Sequence, residues 1–197
     1  VMDTVDGHDT VKCGATTYNQ LRLRNSGNSA DIQRQTIFGS EAGTKFFVIN
    51  NHGFNNAASG ANPWTLPGVL WDAGSGYIGC YVANRTDPDP DEPTAHIFQY
   101  NTQPAVELEV VQDQTHVVSQ RISKPASQVL HFGGLDGSET QQTNTGAVGG
   151  ATGTVYVGSI GNPSPLTHLM LIAGTVTDIG ASEVSDIAAR LLAYFGA

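Results

Sequence analysis

Positive charge is what this chain lacks most. Only 14% of its 197 residues are charged, and nine Lys and Arg stand against eighteen Asp and Glu, for a net charge of -9. Nucleic acid needs a cationic footprint to displace phosphate counterions, so that partner is excluded. An anionic membrane surface is excluded on the same ground. No apolar run approaches the ~18 residues of a membrane-spanning helix. No leader pattern precedes the body of the chain, which reads from Val1 as a mature product, an excised domain or an incomplete stretch. Cysteine is scarce too. Cys13 and Cys80 are the only two, too few for a zinc motif, and they form either a disulfide or two free thiols. The six histidines never pair at metal-ligand spacing, which argues against zinc.

The chain has 23 glycines and 9 prolines, which punctuate many short runs of strand character. Leu21-Arg22-Leu23-Arg24 alternates as a half-buried strand does, and Val106, Leu108 and Val110 alternate with Glu107 and Glu109. Lys45-Phe46-Phe47-Val48-Ile49 is nearly continuous in apolar character, which predicts a central strand. Further strands are predicted at 36–38, 68–71, 76–83, 95–100, 114–122, 128–132, 154–158 and 166–173. Asp6-Gly7 marks a turn followed by a short strand, and Asn162 to Pro165 marks another turn. Residues 50–63, 84–94 and 133–153 read as long polar loops. Ten to twelve strands at a spacing near ten residues predict one all-β domain over 1–197, a sandwich or barrel. The absence of a fixed repeat and of βα alternation disfavours propellers and parallel sheets.

One helix is predicted, from Ser182 to Phe195. Val184, Ile187, Ala188, Leu191 and Phe195 form a single apolar face, Ser182 is the expected N-cap, and Gly196 is the expected stop. That face requires a sheet to lie on.

The two ends of the chain carry a resemblance. Val155-Tyr156-Val157-Gly158, the strand Leu169-Met170-Leu171-Ile172, the helix entry Ile179-Gly180-Ala181-Ser182-Glu183 and the terminus Ala193-Tyr194-Phe195-Gly196 follow one another in order. With Thr4-Val5-Asp6-Gly7-His8-Asp9 at the start, they resemble the concanavalin A-like lectin/glucanase superfamily. The nearest members are the laminin-G-like jelly-roll modules of phage structural and bacterial surface proteins. The resemblance implies an antiparallel two-sheet jelly-roll sandwich with one C-terminal helix. It covers about a third of the chain. The central "lyvNG" hairpin of that group is missing, with Gln120 to Lys124 in its place, and so is the acidic residue of the penultimate strand.

Candidate chemistry lies in the loops. The glucanases of this superfamily place carboxylates on one strand face, and Glu107-x-Glu109 is the nearest strand pair here. It has no third acid and reads equally as a solvated face. Asp87, Asp89 and Asp91 alternate with prolines, which rules out a central strand. These three carboxylates, with Glu92, are the set suited to calcium, ahead of the Asp3-Asp6-Asp9 cluster near the start of the chain; the alternative for both is a hydrated turn, and no other cofactor is implied. Asn51-His52-Gly53-Phe54 resembles an oxyanion-loop string, but no G-x-S-x-G elbow accompanies it. Asn51, His52, Asn55, Asn56 and Trp64 form the candidate glycan-binding set, with an aromatic for the sugar face and amides for its hydroxyls. The alternative is that Trp64 and Trp71 anchor the loop in the core.

These features predict a non-catalytic structural or binding module at a virion surface, as a capsid-decorating or tail-associated component. Its expected partners are neighbouring proteins of an assembly, copies of itself or capsid and tail proteins, with a surface glycan as ligand. The alternative is a glycan-binding module of a secreted or cell-surface protein. Both place it outside the cell.

Overall fold

The computed structural model describes residues 2–15, 20–23, 43–51, 64–72, 76–84, 93–98, 106–123, 129–144, 154–160 and 164–196. They form thirteen strands and one helix. The strands are β1 (Met2–Val5), β2 (His8–Ala15), β3 (Gln20–Leu23), β4 (Gly43–Asn51), β5 (Trp64–Asp72), β6 (Gly76–Asn84), β7 (Pro93–Phe98), β8 (Val106–Glu109), β9 (Thr115–Ser123), β10 (Val129–Leu135), β11 (Ser138–Asn144), β12 (Thr154–Ile160) and β13 (Ser164–Thr175), followed by α1 (Ala181–Phe195). All pairings are antiparallel. One sheet has the order β1-β2-β13-β4-β9-β10-β11, the other β3-β12-β5-β6-β7-β8. This is a two-sheet antiparallel jelly-roll sandwich with a C-terminal helix. The strand predicted at 36–38 lies outside the described residues.

Strand β4 shows why the core sits where it does. All nine of its residues are buried. A strand of an ordinary sandwich alternates, because one of its faces meets water. Here Phe47 and Ile49 face the interior between the sheets, while Phe46 and Val48 face outward and are covered by α1. Val184 and Ala188 of the helix are fully buried against Phe46, Val48 and Val117. The near-continuous apolar run in β4 is therefore the signature of burial on both faces. Fully burying one such side chain is worth about 1.5–3 kcal/mol.

The helix entry differs from expectation. The N-cap is Gly180, at φ 80 and ψ 162, and no side chain caps the helix. Ser182 is the second helical residue, exposed. Glycine takes this positive φ without steric cost. The first helical bond runs from Val184 N to Gly180 O at 3.1 Å, and Gly180 N donates to Asp178 Oδ1 at 3.0 Å. The exit agrees with expectation, with Gly196 N donating to Leu192 O at 2.8 Å.

Three further expectations are corrected. Residues 133–144 are no loop, because Gly133–Leu135 complete β10 and Ser138–Asn144 form β11. Asp136 and Gly137, at φ 52 and 90, make the two-residue turn between them. Strand β11 carries no apolar residue because it is the sheet's outer edge, where an all-polar strand is tolerated. Asn50 and Asn51 belong to β4, not to the loop after it. Ser164 and Pro165 already belong to β13, at a register irregularity where proline removes no ladder bond. Strands β12 and β13 also lie in different sheets, so the chain changes layer there.

Buried polar groups decide the stability of the central strands. Arg121 of β9 is 7% exposed, as is Glu139. Its Nε and Nη2 donate to the Glu139 carboxylate at 2.8–3.2 Å, its Nη1 donates to Asp178 at 3.0 Å, and its guanidinium lies 3.6 Å over the Phe132 ring. Removing the Glu139 carboxylate leaves the buried guanidinium with Asp178 alone and takes the acceptor from its Nε and Nη2. Glu139→Ala is expected to lower unfolding free energy by about 3 kcal/mol in urea titration. His131 faces the interior at 5% exposure, and burial, reinforced by the charge of Lys45, pushes its pKa down to about 4. The unfolded chain binds that proton near the ordinary value of 6.5. Stability is thus fully present above pH 6.5 and falls as pH drops toward 4, by about 3 kcal/mol in total. His131→Gln should flatten that part of the pH–stability curve.

Candidate functional site: the loop-bearing end of the sandwich

Strand register places the two sequence-predicted clusters at one end of the molecule. β4 finishes at Asn51, opposite Thr167 near the start of β13. β5 begins at Trp64, which pairs with Ile160 at the end of β12 and with Ala83 near the end of β6. Asn84, the last residue of β6, pairs with Pro93, the first of β7. The connection through 52–63 and the connection through 85–92 therefore both leave and re-enter at the β4 end. His52, Asn55, Asn56, Asp87, Asp89 and Asp91 lie outside the described residues. Trp64 is placed as the first residue of β5.

Beneath these loops the end is built from buried polar side chains. Asn50 Nδ2 donates to Thr115 Oγ1 at 3.1 Å, and Thr167 Oγ1 donates to Asn51 Oδ1 at 3.2 Å. Asn50 and Asn51 are 2% and 1% exposed. Asn51 thus stands inside the sandwich at the root of the 52–63 segment. Its carbonyl accepts from Asp113 N at 2.7 Å, which ties the turn between β8 and β9 to the end of β4. Asp113 has φ 58, a left-handed conformation that Asp tolerates better than most residues.

A second lock joins that turn to the β10–β11 hairpin. His116 Nε2 accepts from Val111 N at 2.9 Å, so Nδ1 carries the proton and donates to Asp136 Oδ2 at 2.8 Å. Asp136 Oδ1 accepts from Val117 N at 2.8 Å, and Asp136 N donates to Val117 O at 2.8 Å. Neither His116 nor Asp136 was among the predicted site residues. The Asp136-Gly137 dipeptide between two strands was the available signal for this hairpin.

On the outer face of the same end, His168 Nε2 lies 3.1 Å from Asp3 Oδ2, with Lys12 Nζ 3.6 Å from that oxygen. The hydrogen bond with His168 and that from Thr4 N hold the Asp3 carboxyl below the usual range. Among the described residues no group of three or more His, Cys, Asp or Glu is arranged to hold a metal. Val106, Leu108 and Val110 are buried while Glu109 is exposed, so Glu109 lies on a solvated face. Cys80 is fully buried, and burial pushes its thiol pKa above the ordinary range. No helix among the described residues is long and apolar enough to cross a membrane.

No protein-family model matches the chain, and no curated protein does. Solved structures are similar to it in fold. The binding domain of Paraclostridial Mosquitocidal Protein 1 superposes with a TM-score of 0.63 at 9% identity, covering 97% of this chain and 46% of that one. The binding domain of botulinum neurotoxin DC, solved in complex with rat synaptotagmin II, gives 0.54 at 9% identity, covering 96% and 50%. Trypanosoma rangeli sialidase in complex with sialic acid gives 0.62 at 13%, covering 96% and 28%. The chain spans half or less of each of these structures. At such identities the likeness establishes the β-sandwich fold alone.

The locks at the β4 end yield a test. Asp136→Ala removes the acceptor for both His116 Nδ1 and Val117 N. It should cost about 1–3 kcal/mol of stability. Amide hydrogen exchange should accelerate at Val117 and Val111 before it does in the middle of β4.

Proposed function

We propose that the protein is a non-catalytic recognition module that binds its ligand through the loops at the β4 end. The observation that carries this is the rigid base under the 52–63 segment. Asn50, Asn51, Thr115, Thr167 and Asp113 are hydrogen-bonded to one another at the strand ends. A binding loop on such a base loses less entropy when it engages a ligand. The loop supplies His52, Asn55 and Asn56 for a glycan, and Trp64 joins them from the start of β5. Asn51 serves from below, holding the root of the segment in place. The convergence of 52–63 and 85–92 on the same end adds Asp87, Asp89 and Asp91 to the surface. In this proposal they take calcium, which stiffens the neighbouring loop.

The finer setting we propose is the surface of a virion, as a capsid-decorating or tail-associated component in contact with copies of itself or with capsid and tail proteins. The pattern of the chain ends, close to that of laminin-G-like phage modules, supports it. The similar binding domains of toxins support recognition as the common use of the fold. The same experiment weighs the other setting, a secreted or cell-surface glycan-binding module. A glycan array, paired with native mass measurement, should give binding that Trp64→Ala reduces at least tenfold and that a calcium chelator weakens, at unchanged melting temperature in the variant. A stable oligomer with no sugar binding would retain the assembly role and remove the glycan. Binding unaffected by Trp64→Ala would place the site elsewhere.

A further inference from the structure

The interior between the sheets contains a lysine that nothing else in the structure uses. Lys45 sits in the middle of β4, fully buried, and its Nζ has no hydrogen-bond partner. Directly opposite on β9 is Gln120, also fully buried. The same rung continues to Gly174 of β13 beyond Lys45 and to Gly133 of β10 beyond Gln120. Glycines on both sides put no neighbouring side chain within the rung, so the two long chains have each other as cross-strand neighbours. Directly opposed residues hold their Cβ atoms about 4.5–5.5 Å apart, a gap that a lysine and a glutamine side chain bridge together. An unpaired buried amine costs several kcal/mol and is retained where it has a use.

We propose that Lys45 and Gln120 form an intramolecular isopeptide bond that joins β4 covalently to β9. The neutral Lys45 Nζ attacks Cδ of Gln120. The Nζ–Cδ bond forms, the Cδ–Nε2 bond breaks, and the Nε2 nitrogen leaves as ammonia, carrying the proton that Nζ loses. No oxidation or external reactant is involved. Burial brings the Lys45 pKa down to about 7, so the free amine needed for attack is abundant at neutral pH. His131 is diagonal to Gln120 on the adjacent β10, buried and without a partner at Nε2. It is the group placed to carry the proton from the amine to the leaving nitrogen.

The bond would link the two strands that carry the doubly covered core. The test is the intact mass of the full chain, measured denatured after incubation at pH 8, followed by peptide mapping. The expected mass is about 17 Da below that of the sequence, the mass of one ammonia, with a branched peptide linking Lys45 to Gln120. Lys45→Met, close in length and apolar, should restore the full mass and lower the urea midpoint. His131→Gln should slow the appearance of the lighter species at least tenfold, and incubation below pH 6 should slow it in the native chain. A full-mass native chain after prolonged incubation overturns the proposal. So does a 17 Da loss that maps to an asparagine succinimide.

Discussion

The constraint on which the molecule depends is that β4 and β9 have no face left for water. On one side they meet the second sheet, and on the other Val184 and Ala188 of α1 close over Phe46, Val48 and Val117. In that position a polar group without a partner is costly. Arg121 obeys the rule through Glu139, Asp178 and the Phe132 ring. His116 obeys it through Asp136 and Val111. Each partner belongs to a neighbouring turn, hairpin or linker. The polar residues of β9 therefore do more than fill space; they fasten the β8–β9 turn, the β10–β11 hairpin and the segment entering α1 to one central strand.

That fastening organises the end of the sandwich from which the polar loops emerge. Six chain connections meet there, through 16–19, 52–63, 85–92, 110–114, 136–137 and 161–163. The turns at 110–114 and 136–137 are pinned by backbone and carboxylate hydrogen bonds. The buried amides of Asn50 and Asn51 fix the strand end from which 52–63 departs. A rigid floor under variable loops is how a β-sandwich separates stability from recognition, since loop residues can change without touching the core.

Much of the fold is legible in the sequence, and the places where it is not have physical causes. The run Phe46 to Ile49 announces a central strand, and the spacing of Val184, Ile187, Ala188 and Leu191 announces the helix, because apolar periodicity reports burial directly. β11 is illegible by the same signal, since Ser138 to Asn144 are all polar on an exposed edge. β9 is only half legible: Ser119, Gln120 and Arg121 look like surface residues until Glu139 and Asp178 are seen beside Arg121. Asn50 and Asn51 look like loop formers because composition does not reveal that Thr115 and Thr167 await them across the ladder. The candidate site was legible as two clusters, 51–64 and 87–91. That they share one end is a matter of register, which no local pattern encodes.

The helix entry has a consequence for how the parts of the molecule depend on one another. A helix with its own side-chain N-cap carries a start signal wherever it goes. α1 has no such side chain; its N-cap Gly180 is held by Asp178, and Asp178 is held by Arg121 of β9. Fifteen residues are marginal as a helix alone even with good caps. The C-terminal segment is thus a dependent of the sheet it covers: it acquires its shape by docking, and the outer face of β4 and β9 stays wet until it does. Cover and covered are one cooperative unit.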